Sequence, residues 1–189
     1  MHLVLAYELK IFYLMAQVAP YKIDFPDDED EWDTKNGIRA MAVSYVADLD
    51  QAAFGCLVNT DGECSDYIRL EHILKRKNAW KESDRVGKEK DMNTLRNFIF
   101  NKKPHVIAVS AESREATMLI EDLRALTAQL VEEEQWPMIN VELVDNSLAK
   151  VFANSTRAEN EFREYPHLLR EAISIARGLQ VHIYFVFCI

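Results

Sequence analysis

Cysteine is scarce in this 189-residue sequence, which has only Cys56, Cys64 and Cys188. An odd number without metal-ligand spacing supports neither a disulfide framework nor a zinc site, and it fits a reducing, intracellular compartment. Long apolar runs are also missing. Glu8, Lys10 and Gln17 interrupt the first twenty residues, which excludes a signal-peptide core. The terminal Val181 to Ile189 is only about half the length of a membrane helix and reads as a strand-prone tail. Positive charge is outweighed, with 22 Lys and Arg against 31 Asp and Glu for a net charge of -9. An acidic surface repels phosphate, which argues against a dedicated binder of naked nucleic acid and favours a basic partner. No P-loop, dinucleotide fingerprint or serine nucleophile elbow is found.

What is present describes a globular domain. The hydrophobic fraction of 49% and charged fraction of 28% suit a protein with a proper core, and the length suits one domain with tails. Residues 1–36 read as a lead-in and acidic linker, with Asp24, Asp27, Asp28, Glu29, Asp30, Glu31 and Asp33 crowded around Pro26. Residues 37–180 read as the folded domain, and 181–189 as an apolar tail. Between Arg69 and Lys103 the sign reverses, with eleven Lys or Arg against five Asp or Glu.

Hydrophobic patterning predicts strands over Ile38 to Val46, Ala52 to Val58 and Glu63 to Leu70, the last two joined by the turn residues Asn59-Thr60-Asp61-Gly62. Helical spacing of Met92, Leu95, Phe98 and Ile99 predicts a helix from about Lys88 to Lys102, stopped by Pro104. Val106 to Val109, ending at Ser110, reads as a buried central strand, and Ser113 to Glu133 as a second helix. Ile139 to Val144 is a fifth strand and Leu148 to Asn154 a short helix. A last helix starts at Pro166 and ends near Gly178. The order βββαβαβα gives an α/β mixed sheet of about five strands with helices packed on it.

That order is RNase H-like, and particular residues extend the resemblance. Val141-Glu-Leu-Val-Asp145-Asn, Phe152-Ala-Asn-Ser155 and Glu161-Phe-Arg-Glu-Tyr165-Pro166, followed by Leu168-Leu-Arg170 and Glu171-Ala172, resemble the YqgF/RuvC-like domain of the eukaryotic Tex-like transcription elongation factor and histone chaperone of the suppressor-of-Ty-six family. Ala19-Pro-Tyr21, Leu74-Lys-Arg-Lys77 with Trp80, and Asn101-Lys-Lys-Pro104-His105-Val106 add to it, so the match runs from about Val18 to Gln180. The family's proteins are much longer, which implies a fragment or partial gene product. The resemblance implies a nuclear domain working, through its parent, with RNA polymerase II elongation complexes and with histones or nucleosomes. It implies no membrane and no small-molecule substrate.

Nucleases of the RuvC type hold two divalent ions with about four carboxylates, to position a water and stabilise an in-line phosphoryl displacement. The resemblance sets the first of these acids at the third residue of Ala42-Val43-Ser44, where a neutral hydroxyl is a poor ligand for a hard cation. The second position falls on Ser110-Ala111-Glu112, and Glu112 reads more simply as a carboxylate in the first turn of a helix. The third falls on Glu171, in Glu171-Ala172-x-x-x-Ala176, which alone reads as a solvated or salt-bridged helix residue. Asp145 reads as a turn or cap residue. His72, His105 and His167 are dispersed and read as surface or interface residues.

Ser44, Ser110, Glu112 and Glu171 therefore form a degenerate nuclease site, without catalytic residues, metal or other cofactor. The expectation is a non-catalytic scaffold. Two alternatives stand beside it. One is a divergent metal-dependent nuclease or resolvase. The other is a nucleic-acid-binding module using the basic segment 75–90, with Lys75, Arg76, Lys77 and Lys81 tracking phosphates and Trp80 stacking a base.

Overall fold

The computed structural model describes residues 37–180. The acidic linker and the apolar tail read from the sequence lie outside them. Three antiparallel strands open the fold: β1 (Ala40–Ser44), β2 (Ala53–Val58) and β3 (Cys64–Leu70). Gly62, at φ 80°, takes the left-handed position that closes the β2–β3 turn, while the Asn59 side chain accepts from the backbone N–H groups of Asp61 and Glu63. Helix α1 (Glu82–Lys102) then crosses to β4 (Val106–Ser110), and α2 (Glu115–Glu134) to β5 (Asn140–Val144). Both of these strands run parallel to β1, giving the sheet order β3-β2-β1-β4-β5. Three helices close the chain: α3 (Ser147–Ala153), α4 (Thr156–Glu161) and α5 (His167–Gln180). This is the RNase H-like mixed sheet that the resemblance implies.

Strand alternation divides the core between two faces. Met41, Val43, Ile107, Val109 and Val141 point to one face and meet Leu95 and Ile99 of α1 and Leu119, Leu123 and Leu130 of α2. Each such fully buried aliphatic side chain contributes roughly 1.5–3 kcal/mol. On the other face the strands carry Ala40, Ala42, Cys56, Val58, Val106 and Ala108 against Leu169, Ala172, Ile173 and Ala176 of α5. Small side chains on both partners let α5 lie close to the sheet. The same alternation turns Ser44 and Ser110, the last residues of β1 and β4, toward α5.

Three elements differ from the sequence expectation. Helix α1 starts at Glu82, six residues before Lys88, because its opening turns are anchored by atypical core residues. Gly87 lies under the His72 ring, the Lys88 ammonium is buried against Asp122 and the Ile73 carbonyl, and the Asp91 carboxylate accepts the His72 N–H at 2.5 Å. Helix α5 runs through Gly178 instead of ending there, since the Gln180 amide donates to the carbonyls of Ile38, Val58 and Asn59 and so holds the last turn in place. The six-residue α4 had no apolar pattern to reveal it, and it is started by the Ser155 hydroxyl accepting from the Ala158 N–H. His105 also departs from the surface role read for it: it is buried, and its Nδ1 accepts the Arg39 N–H at 2.8 Å.

Candidate functional site

The carboxyl ends of β1, β4 and β5 meet the N-terminal half of α5, and Ser44, Ser110, Glu112 and Glu171 converge there. Ser44 and Ser110 are fully buried on neighbouring strands. Glu171 is only 1% exposed, so it is no solvated helix residue: α5 carries it inward, where its Oε1 accepts from the Ser44 hydroxyl at 2.9 Å. Glu112 is no first-turn carboxylate either, because α2 begins three residues later at Glu115. It is drawn toward β5 instead. The Ala111 N–H donates to the Val144 carbonyl at 2.8 Å, which prolongs the β4–β5 ladder by one residue and brings Glu112 beside Asn146.

Two residues that the sequence reading did not single out complete the cluster. The Asn146 amide donates to Glu112 Oε2 at 2.7 Å and to Glu171 Oε1 at 2.9 Å, so one NH₂ group bridges both carboxylates. Lys150 follows Asn146 by one helical turn, its N–H donating to the Asn146 carbonyl, and its ammonium is ion-paired with Glu112 Oε2. The only available signal was an Asn and a Lys four residues apart just after a strand, which is common in any helix. Burial works to raise the Glu112 carboxyl, but the Lys150 ammonium and the Asn146 amide outweigh it and hold the carboxyl below its ordinary value. Lys150 is raised in turn by its hydrogen bond to Glu112. Asp145 does act as a turn residue, its Oδ1 accepting the Ser147 N–H at 2.9 Å.

A pair of divalent ions does not fit this arrangement. Hard cations take oxygen donors, and magnesium takes them in near-octahedral geometry at about 2.0–2.1 Å. Here a neutral hydroxyl stands at the end of β1, and an amide N–H group lies between the carboxylates of Glu112 and Glu171. Among the described residues no group of three or more His, Cys, Asp or Glu side chains is placed to hold a metal. The hydroxyls of Ser110 and Ser174 are buried without a hydrogen-bond partner.

Several residues of the basic segment are paired with carboxylates of their own. Lys75 pairs with Asp50 at 2.7 Å, Lys77 with Asp122 at 2.8 Å, and Arg85 with Glu82. Lys88, counted in the same segment, is buried inside the fold. Trp80 is fully exposed between Arg76 and Lys81.

Comparison with known proteins places the chain in a family. Residues 34–184 match the family model described as YqgF, Holliday-junction resolvase-like of SPT6. The chain is 43% identical over 170 residues to "Transcription elongation factor SPT6" of Drosophila melanogaster, covering 89% of this chain and 9% of the relative. It is 36% identical over 154 residues to "Suppressor of Ty 6 homolog" of Caenorhabditis briggsae, covering 81% and 10%. Among solved structures, T. thermophilus RuvC in complex with Holliday junction substrate overlaps with a TM-score of 0.47 at 10% identity, over 73% of this chain and 91% of that one. The chain thus spans about a tenth of the length of the relatives it matches. It belongs to the SPT6 family, and what it carries of that family is the YqgF, Holliday-junction resolvase-like domain.

Proposed function

We propose that this domain is a non-catalytic scaffold within a transcription elongation factor and histone chaperone that works with RNA polymerase II on chromatin in the nucleus. The relatives' names, transcription elongation factor and suppressor of Ty homolog, support the setting. The state of the strand-end cluster supports the absence of catalysis. Its carrying observation is the Ser44 hydroxyl donating to Glu171: the position where a resolvase needs a metal-bridging carboxylate holds a neutral donor already committed to the next acid. Two-metal hydrolysis depends on negative oxygens that assemble the ions and a free face on which to activate water. In this cluster one oxygen of each acid is already taken by a hydrogen bond or ion pair, and among the described residues no third acid stands with them.

The test is cleavage. The purified chain, incubated with Mg²⁺ or Mn²⁺ and branched DNA or RNA, is expected to leave the substrate intact. Cleavage that disappears in a Glu171→Gln variant would overturn the scaffold reading in favour of a divergent nuclease.

The exposed Trp80, beside Arg76 and Lys81, favours a second reading, a weak contact with nucleic acid by base stacking and phosphate pairing. Lys75 and Lys77 contribute less to it, because their carboxylate partners, Asp50 and Asp122, already neutralise them. Binding to single-stranded RNA that weakens steeply with salt and is lost in Trp80→Ala would establish that contact; binding indifferent to both would remove it.

A further inference from the structure

The misfit between this cluster and a divalent ion has a specific cause in the chain itself. Glu112 and Glu171 are the carboxylates of the cluster, the second buried and the first partly so, and two such acids without a positive group between them are unfavourable, through both desolvation and mutual repulsion. The chain supplies what they lack from α3 and the residue that precedes it. The Asn146 amide presents its positive N–H end to both, and the Lys150 ammonium closes on Glu112 from the same helix face. Only one orientation of the Asn146 amide avoids turning its carbonyl onto a carboxylate, so the donor assignment follows from its two acceptor partners.

We propose that Lys150, steered by Asn146, takes the place of a divalent cation at this site, the ammonium on Glu112 and the Asn146 amide on both acids together joining the ends of β4 and β5 to α5, and that the cluster does not bind metal. This rests on the non-catalytic reading and gives it a mechanism. The domain keeps the strand-end geometry of a metal-dependent fold without depending on a metal supply. Three features serve this arrangement: Ser44 is neutral, Asn146 bridges the two acids, and Lys150 contributes the positive charge. All three side chains lie within one hydrogen-bonded chain running Ser44, Glu171, Asn146, Glu112 and Lys150.

The experiment titrates Mn²⁺ into the purified full chain by calorimetry and follows thermal melting with EDTA or with millimolar Mn²⁺. The wild type is expected to give no saturable heat and the same Tm in both conditions. Lys150→Met should lower Tm by about 2–4 °C, and Lys150→Arg, which keeps the charge, should restore most of that loss. A Ser44→Asp, Lys150→Ala double variant returns an acid and removes the resident cation, and should acquire a saturable Mn²⁺ response together with a Tm that rises with the metal. Saturable Mn²⁺ binding by the wild type would overturn the proposal. So would a folded double variant that ignores Mn²⁺. Should Lys150→Met not fold, the wild-type titration and the Lys150→Arg melt decide, a silent titration with a retained Tm supporting the proposal and saturable heat overturning it. Binding of Mn²⁺ by the wild type without cleavage would defeat this substitution alone, whereas cleavage of branched substrate would defeat the non-catalytic reading.

Discussion

A buried carboxylate is stabilised or destabilised by the few atoms that touch it, and Glu171 illustrates how narrow that margin is. Its Oε1 receives two hydrogen bonds, from Ser44 and from Asn146, in a setting where it is only 1% exposed. Truncation by Glu171→Ala leaves a buried hydroxyl without its acceptor and a small void, and is expected to cost about 1–3 kcal/mol in urea denaturation. A cost near zero would mean that the two donors find other partners and that the cluster adds nothing to stability. Glu112 gives the site an acid limit. Its carboxyl is held below the ordinary value in the folded chain, so its contribution is fully present above the unfolded glutamate pKa, near 4.3, and is lost as the pH falls through the lower folded value. Because the Lys150 side chain is 44% exposed, solvent screening limits the effect to about 0.5–1 kcal/mol. Melting curves between pH 5 and roughly pH 3 should therefore converge for the wild type and a Glu112→Gln variant as the acid end is approached. Curves that stay parallel would remove Glu112 from the set of linked groups.

Helix α1 depends on a contact that helix propensity would get wrong. Gly87 occupies the helix interior, where alanine is ordinarily better by about 1 kcal/mol. A Cβ at that position would meet the His72 ring at 2.4 and 2.6 Å, so Gly87→Ala is expected to lower Tm instead of raising it. A raised Tm would show that the His72 ring shifts easily and that the start of α1 is loosely packed. The same contact explains why this part of the helix was hidden in the sequence. Its buried residues are Gly87, Lys88 and Asp91, none of them apolar enough to register as a periodic stripe, while its large apolar residue Val86 is 57% exposed. Apart from α4 and the end of α5, the other elements were legible because alternation or helical spacing of Val, Ile, Leu and Ala marks the core directly, as in β1, β4 and α2. The site was legible in part. Family resemblance located Ser44, Ser110, Glu112 and Glu171, but Asn146 and Lys150 act through a juxtaposition of β5, α3 and α5 that no local pattern records.

At the scale of the molecule, the two faces of the sheet close at very different points along the chain. One face is covered by α1 and α2, which lie between the strands in sequence and are formed as the sheet is assembled. The other receives α5, whose Gln180 and Arg177 reach back to Ile38, Val58, Asn59 and Gly62 across more than a hundred residues. Contacts of such sequence separation form late, because loop closure must precede them. A chain ending after Tyr165 would expose Ala40, Ala42, Val58, Val106 and Ala108 together, and is expected to be recovered in the insoluble fraction. Recovery of that truncated chain as a soluble, cooperatively melting species would show that the sheet is stable with one face bare.

The anchoring of α5 also bears on the domain's birth at the ribosome. Synthesis runs from the N-terminus, so β1 and β2 emerge well before the helix that shields them, and Gln180 must clear the exit tunnel before its amide can reach their carbonyls. Throughout that interval the first strands present an unshielded apolar surface to solvent. For this domain, the nascent chain is most in need of a chaperone during the translation of its last helices.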